Sequence, residues 1–105
     1  MSADERLRAA ASVFDALSSE VRLKIIVLVC QSSRPLHIKA ISRQLKLNYA
    51  TIYRHIEALE ELGIVEIYEV GRSRVLSVPK ADKLDAIVDM AITFLKKKPE
   101  RSTTR

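Results

Sequence analysis

NYATIYRHIEALEELGIVE, residues 48–66, decides how the rest of the chain is read. Asn48 is a favoured helix cap, because its side-chain oxygen can accept an N–H that the first turn leaves free. From Tyr49 onward, Ile52, Ile56, Leu59 and Leu62 recur at helical spacing and predict a core stripe over about 49–62. At about 100° per residue, Ala50, Arg54 and Glu57 project opposite that stripe. Tyr53 lies to one side and Tyr49 nearer the core. Gly63 supplies the left-handed residue on which helices commonly end. The β-branched run from Ile64 to Val70, which includes Tyr68, then predicts a strand.

Working backward, residues 37–46 predict a helix with Ile38, Ile41 and Leu45 inward and Lys39, Arg43 and Lys46 outward. Leu47 and Asn48 make the turn between the two helices. A central helix covers about 20–31, capped by Ser18 or Ser19 and broken at 32–35, where Pro35 lacks an N–H. Residues 4–17 predict a first helix with Leu7, Ala10, Ala11, Phe14 and Leu17 on one stripe. Working forward, GRSR at 71–74 predicts a hairpin turn, followed by a short strand from Val75 to Val78. A last helix over about 81–97 carries Leu84, Ile87, Val88, Ala91, Phe94 and Leu95 on one face. Its C-terminus would carry Lys96 to Lys98, and the polar, basic end frays.

These elements predict a mainly α fold with a two-stranded β wing, a winged helix-turn-helix. One domain covers 1–98, with the helix-turn-helix at 37–62 and the wing at 64–78, and residues 99–105 form a basic tail. The chain's 105 residues suit a single domain. The first and last helices (4–17 and 81–97) look too apolar to stand free, so a homodimer contact through Leu7, Phe14, Leu84, Val88, Ala91 and Leu95 is expected.

The formal net charge is +5, and its layout says more than its total. From Val21 to Ile56 there is no Asp or Glu, while Arg22, Lys24, Arg34, Lys39, Arg43, Lys46 and Arg54 fall there. From Glu57 to Glu69 the signs reverse, and Arg72 and Arg74 follow. Cations bunched at the start of a helix that suits a major groove, and again at a hairpin, point to double-stranded DNA. An exposed helix residue would be the ordinary reading of Tyr53 and Arg54, and a solvated turn that of Arg72 and Arg74. The helix-turn-helix pattern and acid-free stretch favour DNA for Tyr53 and Arg54, and the hairpin position favours it for Arg72 and Arg74. Thr51 can bond its own backbone as readily as a phosphate.

Other residues read more plainly. Cys30 is a small core residue, and as the only cysteine it allows no internal disulfide, which fits a cytoplasmic setting. MSADER at the start is no signal peptide, and the longest apolar run is too short to cross a bilayer. His55, at the edge of the core stripe, is expected to be partly buried and hydrogen-bonded, and Arg22 to pair with an acid inside the fold. Asp82, Asp85 and Asp89 form a solvated face. No phosphate-cradling glycine motif, Ser/His/Asp grouping or paired-carboxylate signal is found, so an enzyme is not expected, nor any cofactor.

ALSSEVRLKIIVLV (16–29) and LHIKAISRQLKLNYATIYRHIEALEELGIVE (36–66) resemble the ArsR-like winged-helix transcription regulators. The resemblance covers about 14–78. It implies a homodimer joined through its first and last helices on an operator of twofold character. It implies base contacts from Tyr49, Ala50, Thr51, Tyr53 and Arg54 and wing contacts from Arg72 and Arg74. Where the metal sensors of that family carry a cysteine pair, this chain has AISRQLK, and its last helix has no His, so no metal is expected. The function expected is therefore a sequence-specific, homodimeric DNA-binding regulator, a repressor associated with the nucleoid, with Lys39, Arg43 and Lys46 on phosphates. Two alternatives are a DNA-coating protein of low specificity and a winged-helix protein-interaction module, to which Glu57, Glu60 and Glu61 would be better suited.

Overall fold

The computed structural model describes residues 1–97; Lys98 and the 99–105 tail lie outside them. The elements are α1 (Ala3–Leu17), α2 (Glu20–Cys30), β1 (Leu36–His37), α3 (Ile38–Leu45), α4 (Tyr49–Glu61), β2 (Glu66–Val70), β3 (Ser73–Ser77) and α5 (Ala81–Thr93). This is the winged helix-turn-helix, with one correction. The sheet is three-stranded and antiparallel, in the order β1-β3-β2. Leu36 and His37 pair with Leu76 and Val75, so the strand nearest the core is bonded on both sides. A two-residue strand leaves no period to detect, which is why it escaped the sequence reading.

The caps explain where the helices start and stop. Ser19 accepts the Arg22 N–H at 3.3 Å, and Asn48 accepts the Thr51 N–H at 2.8 Å. Ser2 and Glu5 form a reciprocal capping box at the start of α1. Helix α4 ends with Ile64 N–H donating to Leu59 O and Gly63 N–H to Glu60 O, with Gly63 at φ +77°. The same pair of bonds closes α3, from Leu47 to Ser42 and from Lys46 to Arg43, but here the left-handed residue is Lys46, at φ 58°. A non-glycine residue there costs about 1 kcal/mol. The Ser42 hydroxyl offsets part of this by donating to Leu47 O at 2.5 Å. Helix α5 stops at Thr93, short of the expected residue 97, because Phe94 and Leu95 N–H groups tighten back onto Ala91 and Ile92. Lys96 and Lys97 therefore lie beyond it.

Ile25, Ile26, Ile38, Ile41, Ile52, Ile56, Leu59, Val65 and Leu76 form the fully buried centre. Helix α1 joins it through Ala16 and Leu17, and α5 through Leu84, so both outer helices are anchored at one end. Leu84 is thereby committed within the protomer rather than free for a partner. The rest of these helices stays open: Leu7, Phe14, Met90, Phe94 and Leu95 are all more than half exposed. The radius of gyration, 15.0 Å, exceeds the ~13 Å of a compact chain this long, as two projecting helices require.

Arg22 corrects another expectation. It meets no acid; its Nε–H donates to His55 Nδ1 at 3.1 Å and its Nη1 to Ala16 O at 3.2 Å. It thus ties the end of α1 to the middle of α4. Burial, then the charges of Arg22 and Arg54, hold the His55 imidazole below its usual pKa. The unfolded chain's imidazole takes up a proton near pH 6.5, and the folded one resists it. Stability from this contact is therefore complete above that pH and lost as pH falls through the lower, folded-state value. The melting temperature should decline between about pH 7.5 and pH 5.5, and His55→Gln should flatten that decline. An unchanged slope in the variant would assign the decline to other groups.

Candidate nucleic-acid interface

The cap at Asn48 aims the start of α4 out of the fold, and α3 and the wing flank it. Its first turn has no acidic residue, and Ile52 and Ile56 are fully buried on the opposite side. Ala50 and Arg54 are exposed, as the helical spacing requires. Tyr49 and Tyr53 are half-buried and stack with ring centroids 5.9 Å apart and planes 10° from parallel. The Arg74 guanidinium, reaching from β3, lies over the Tyr53 ring at 5.0 Å from its centroid.

The wing arginines thus sit beside the tyrosines of α4, on a common side of the molecule. His37, Lys39, Tyr49, Arg72, Ser73 and Arg74 line a single hollow, and a second, adjoining one is lined by Lys39, Ser42, Arg43 and Tyr49. Neither contains a carboxylate. Lys39, Arg43, Lys46, Arg54, Arg72 and Arg74 are all exposed. Among the described residues the one ion pair is Lys24–Glu20, so these six cations face solvent without an anionic partner. Thr51 is half-buried in the first turn, where its N–H serves the cap. The acids begin one turn past Arg54: Glu57, Glu60 and Glu61 are exposed along the second half of α4. Only the first two turns of this helix are therefore suited to a polyanion.

Two lining residues, His37 and Ser73, were not singled out by the sequence reading. His37 comes in because β1 pairs with β3, a pairing that left no pattern to find, and Ser73 because it starts β3 opposite Val70. Gly71, at φ +63°, makes the hairpin turn with Arg72, while Ser73 and Arg74 belong to the strand. The turn is thus shorter than the GRSR reading.

Cys30 is a free, half-buried thiol. Burial, reinforced by Asp85 and Asp82, raises its pKa and keeps it protonated. No three His, Cys, Asp or Glu side chains converge in metal-binding arrangement among the described residues. No helix among them is long and apolar enough to cross a membrane.

Comparisons with known proteins agree with this geometry. The family model for bacterial regulatory proteins of the arsR family matches residues 19–66. An uncharacterised HTH-type transcriptional regulator, B-115 of Sulfolobus spindle-shape virus 1, is 38% identical over 53 residues. The match spans 50% of this chain and 45% of the viral protein. Among solved structures, the homodimeric winged helix-turn-helix DNA-binding domain of Mb0332 from Mycobacterium bovis is similar over 97% of each chain, at 22% identity and TM-score 0.76. The transcriptional repressor BigR from Xylella fastidiosa aligns over 90% of this chain and 94% of its own, at 18% identity and TM-score 0.69. These likenesses show the winged helix-turn-helix fold, and the matched segment resembles that of bacterial regulatory proteins. Residues 19–66 thus resemble the arsR family of bacterial regulatory proteins, and the architecture around them is that of the winged helix-turn-helix.

Proposed function

We propose that this chain is a sequence-specific regulator that binds double-stranded DNA as a homodimer and represses transcription by covering promoter DNA in the nucleoid. The observation that carries it is the convergence of Lys39, Tyr49, Arg72 and Arg74, from three separate elements, around one carboxylate-free hollow. It lies beside the exposed, acid-free start of α4. In this reading Ala50, Thr51, Tyr53 and Arg54 meet base edges in the major groove, with Tyr49 at their border. Lys39, Arg43 and Lys46 meet phosphates, and Arg72 and Arg74 grip the flanking backbone from the wing.

The exposed Leu7, Phe14, Met90, Phe94 and Leu95 support the dimer, because a solvated apolar surface of that kind is costly on so small a domain. Val88 is half-buried and Ala91 exposed beside them. Two protomers would set their α4 helices about 34 Å apart, one turn of duplex. Repression draws its support from the likeness to BigR, a transcriptional repressor. No metal and no cofactor enter the mechanism.

The test is selection of bound duplexes from a random pool, followed by footprinting and sedimentation. The expected outcome is a discrete protected site with two related halves, held by a dimer at micromolar concentration. Continuous protection of every sequence would replace this reading with a DNA-coating protein. Failure to shift any duplex at low salt would favour a protein-interaction module.

A further inference from the structure

We propose that the hollow between β1, the start of α3, the start of α4 and the wing is a seat for a single phosphate group, with Arg74 held at its rim by the Tyr53–Tyr49 stack. Its occupant under the proposed function is one phosphate of the DNA backbone, so the inference rests on that reading and deepens it.

The argument starts from what Arg74 leaves alone. Across the β2–β3 ladder its register partner is Glu69, a carboxylate of opposite charge. No ion pair forms there; the guanidinium lies instead on the Tyr53 ring. Tyr53 is in turn stacked against Tyr49 one helical turn earlier. A guanidinium lying over a ring uses its face for that contact and keeps its N–H edge for a bidentate acceptor. Arg74 makes no side-chain hydrogen bond among those of the described residues, so its donors are uncommitted. Beside it the hollow is lined by Lys39, Arg72, Ser73, Tyr49 and His37, with no acid among them. Three cations, one of them held on a ring, around a concave surface match an oxyanion with several acceptors better than a base edge.

The two tyrosines therefore have a role besides any base contact. They are positioning residues that fix the wing arginine before DNA arrives. A flexible arginine loses side-chain freedom on binding; one already lying on a ring loses less. Helix and wing engage the duplex as one unit.

The test has two arms, both on the full chain. In the first, inorganic phosphate is titrated into isotopically labelled protein, with chloride at matched ionic strength as control. The Arg74 Nε–H signal and the Ser73 and Lys39 amides should move with phosphate and not with chloride. No selective movement overturns the seat. In the second arm, duplex affinity is measured for variants whose folding is checked by melting. Tyr53→Leu should weaken binding about three- to tenfold, the scale of a partly desolvated cation–ring contact. Tyr53→Phe, which keeps the ring, should restore most of that loss. Arg74→Gln should lower the salt slope by about one, and in its background Tyr53→Leu should cost clearly less than in the wild type, because only the base contact remains to be lost. A Tyr53→Leu loss of the same size with or without Arg74 overturns the positioning role. Where Tyr53→Leu fails to fold, Arg74→Lys carries the same test, since it keeps the charge and loses the flat face. Wild-type affinity in Arg74→Lys would overturn it. If duplex binds and phosphate leaves the hollow unmoved, the seat fails and the regulator stands. If phosphate binds there and no duplex does, the regulator reading fails and the seat serves a free phosphorylated compound.

Discussion

Arg54→Ala is expected to lower affinity for the selected DNA site by about ten- to a hundredfold per half-site, and for random duplex only slightly. The side chain is exposed and projects opposite the buried Ile52 and Ile56. It makes no ion pair among the described residues, so its removal leaves no orphaned partner in the fold. Alanine is also the best helix former, so α4 loses no intrinsic stability. The loss therefore reports on DNA. A bidentate arginine on a guanine is worth about 1–3 kcal/mol of discrimination, and a symmetric dimer makes the contact twice. The check is a pair of binding curves at one salt concentration, on the selected site and on a scrambled duplex. Equal losses on both would reduce Arg54 to a phosphate contact and move base reading to Ala50, Thr51 and Tyr53.

Ile56→Ala should destabilise the fold by about 2–5 kcal/mol, the range for a fully buried aliphatic truncated to alanine. Ile56 is 0% exposed, in the middle of α4, among core residues contributed by the other helices and the sheet. Its loss opens a cavity that the rigid isoleucines around it cannot close. For a domain of this size each kcal/mol moves the midpoint about 4–8 °C, so thermal denaturation should show a fall of at least ten degrees or so. Glu57→Ala, the exposed neighbour, should stay within about 0.5 kcal/mol of wild type. Both need measuring at the same protein concentration, because a dimer's midpoint depends on it. A midpoint within a few degrees of wild type would mean that α4 is not the keystone of this core.

Most of the architecture could be read from periodicity, because five stretches carry an amphipathic or apolar pattern, and α1, α2 and α4 open on side-chain caps. Asn48 and Gly63 announced both ends of α4, and both act as expected. The turn before α4 was harder to read in detail. It uses Lys46 in a left-handed conformation and a Ser42 hydroxyl, and neither residue type signals that geometry. Strand β1 was invisible because its two residues exist as a strand only through β3. Arg22 was misread because its partner, His55, is an uncharged imidazole on another helix, a pairing that charge pattern cannot suggest. For the interface, charge layout singled out Lys39, Arg43, Lys46, Arg54, Arg72 and Arg74, and all six are exposed. It could not tell that Arg74 rests on Tyr53, since sequence distance carries no information about a contact between strand and helix.

The scarcity of ion pairs has a wider consequence. Among the described residues a single exposed pair, Lys24–Glu20, ties up surface charge, and the core is wholly apolar. Folding and DNA engagement therefore draw on separate forces. Under the proposed function, a rise in ionic strength would loosen the grip on DNA while leaving the scaffold intact. Under the proposed function, the protein would leave its DNA and be recaptured without unfolding.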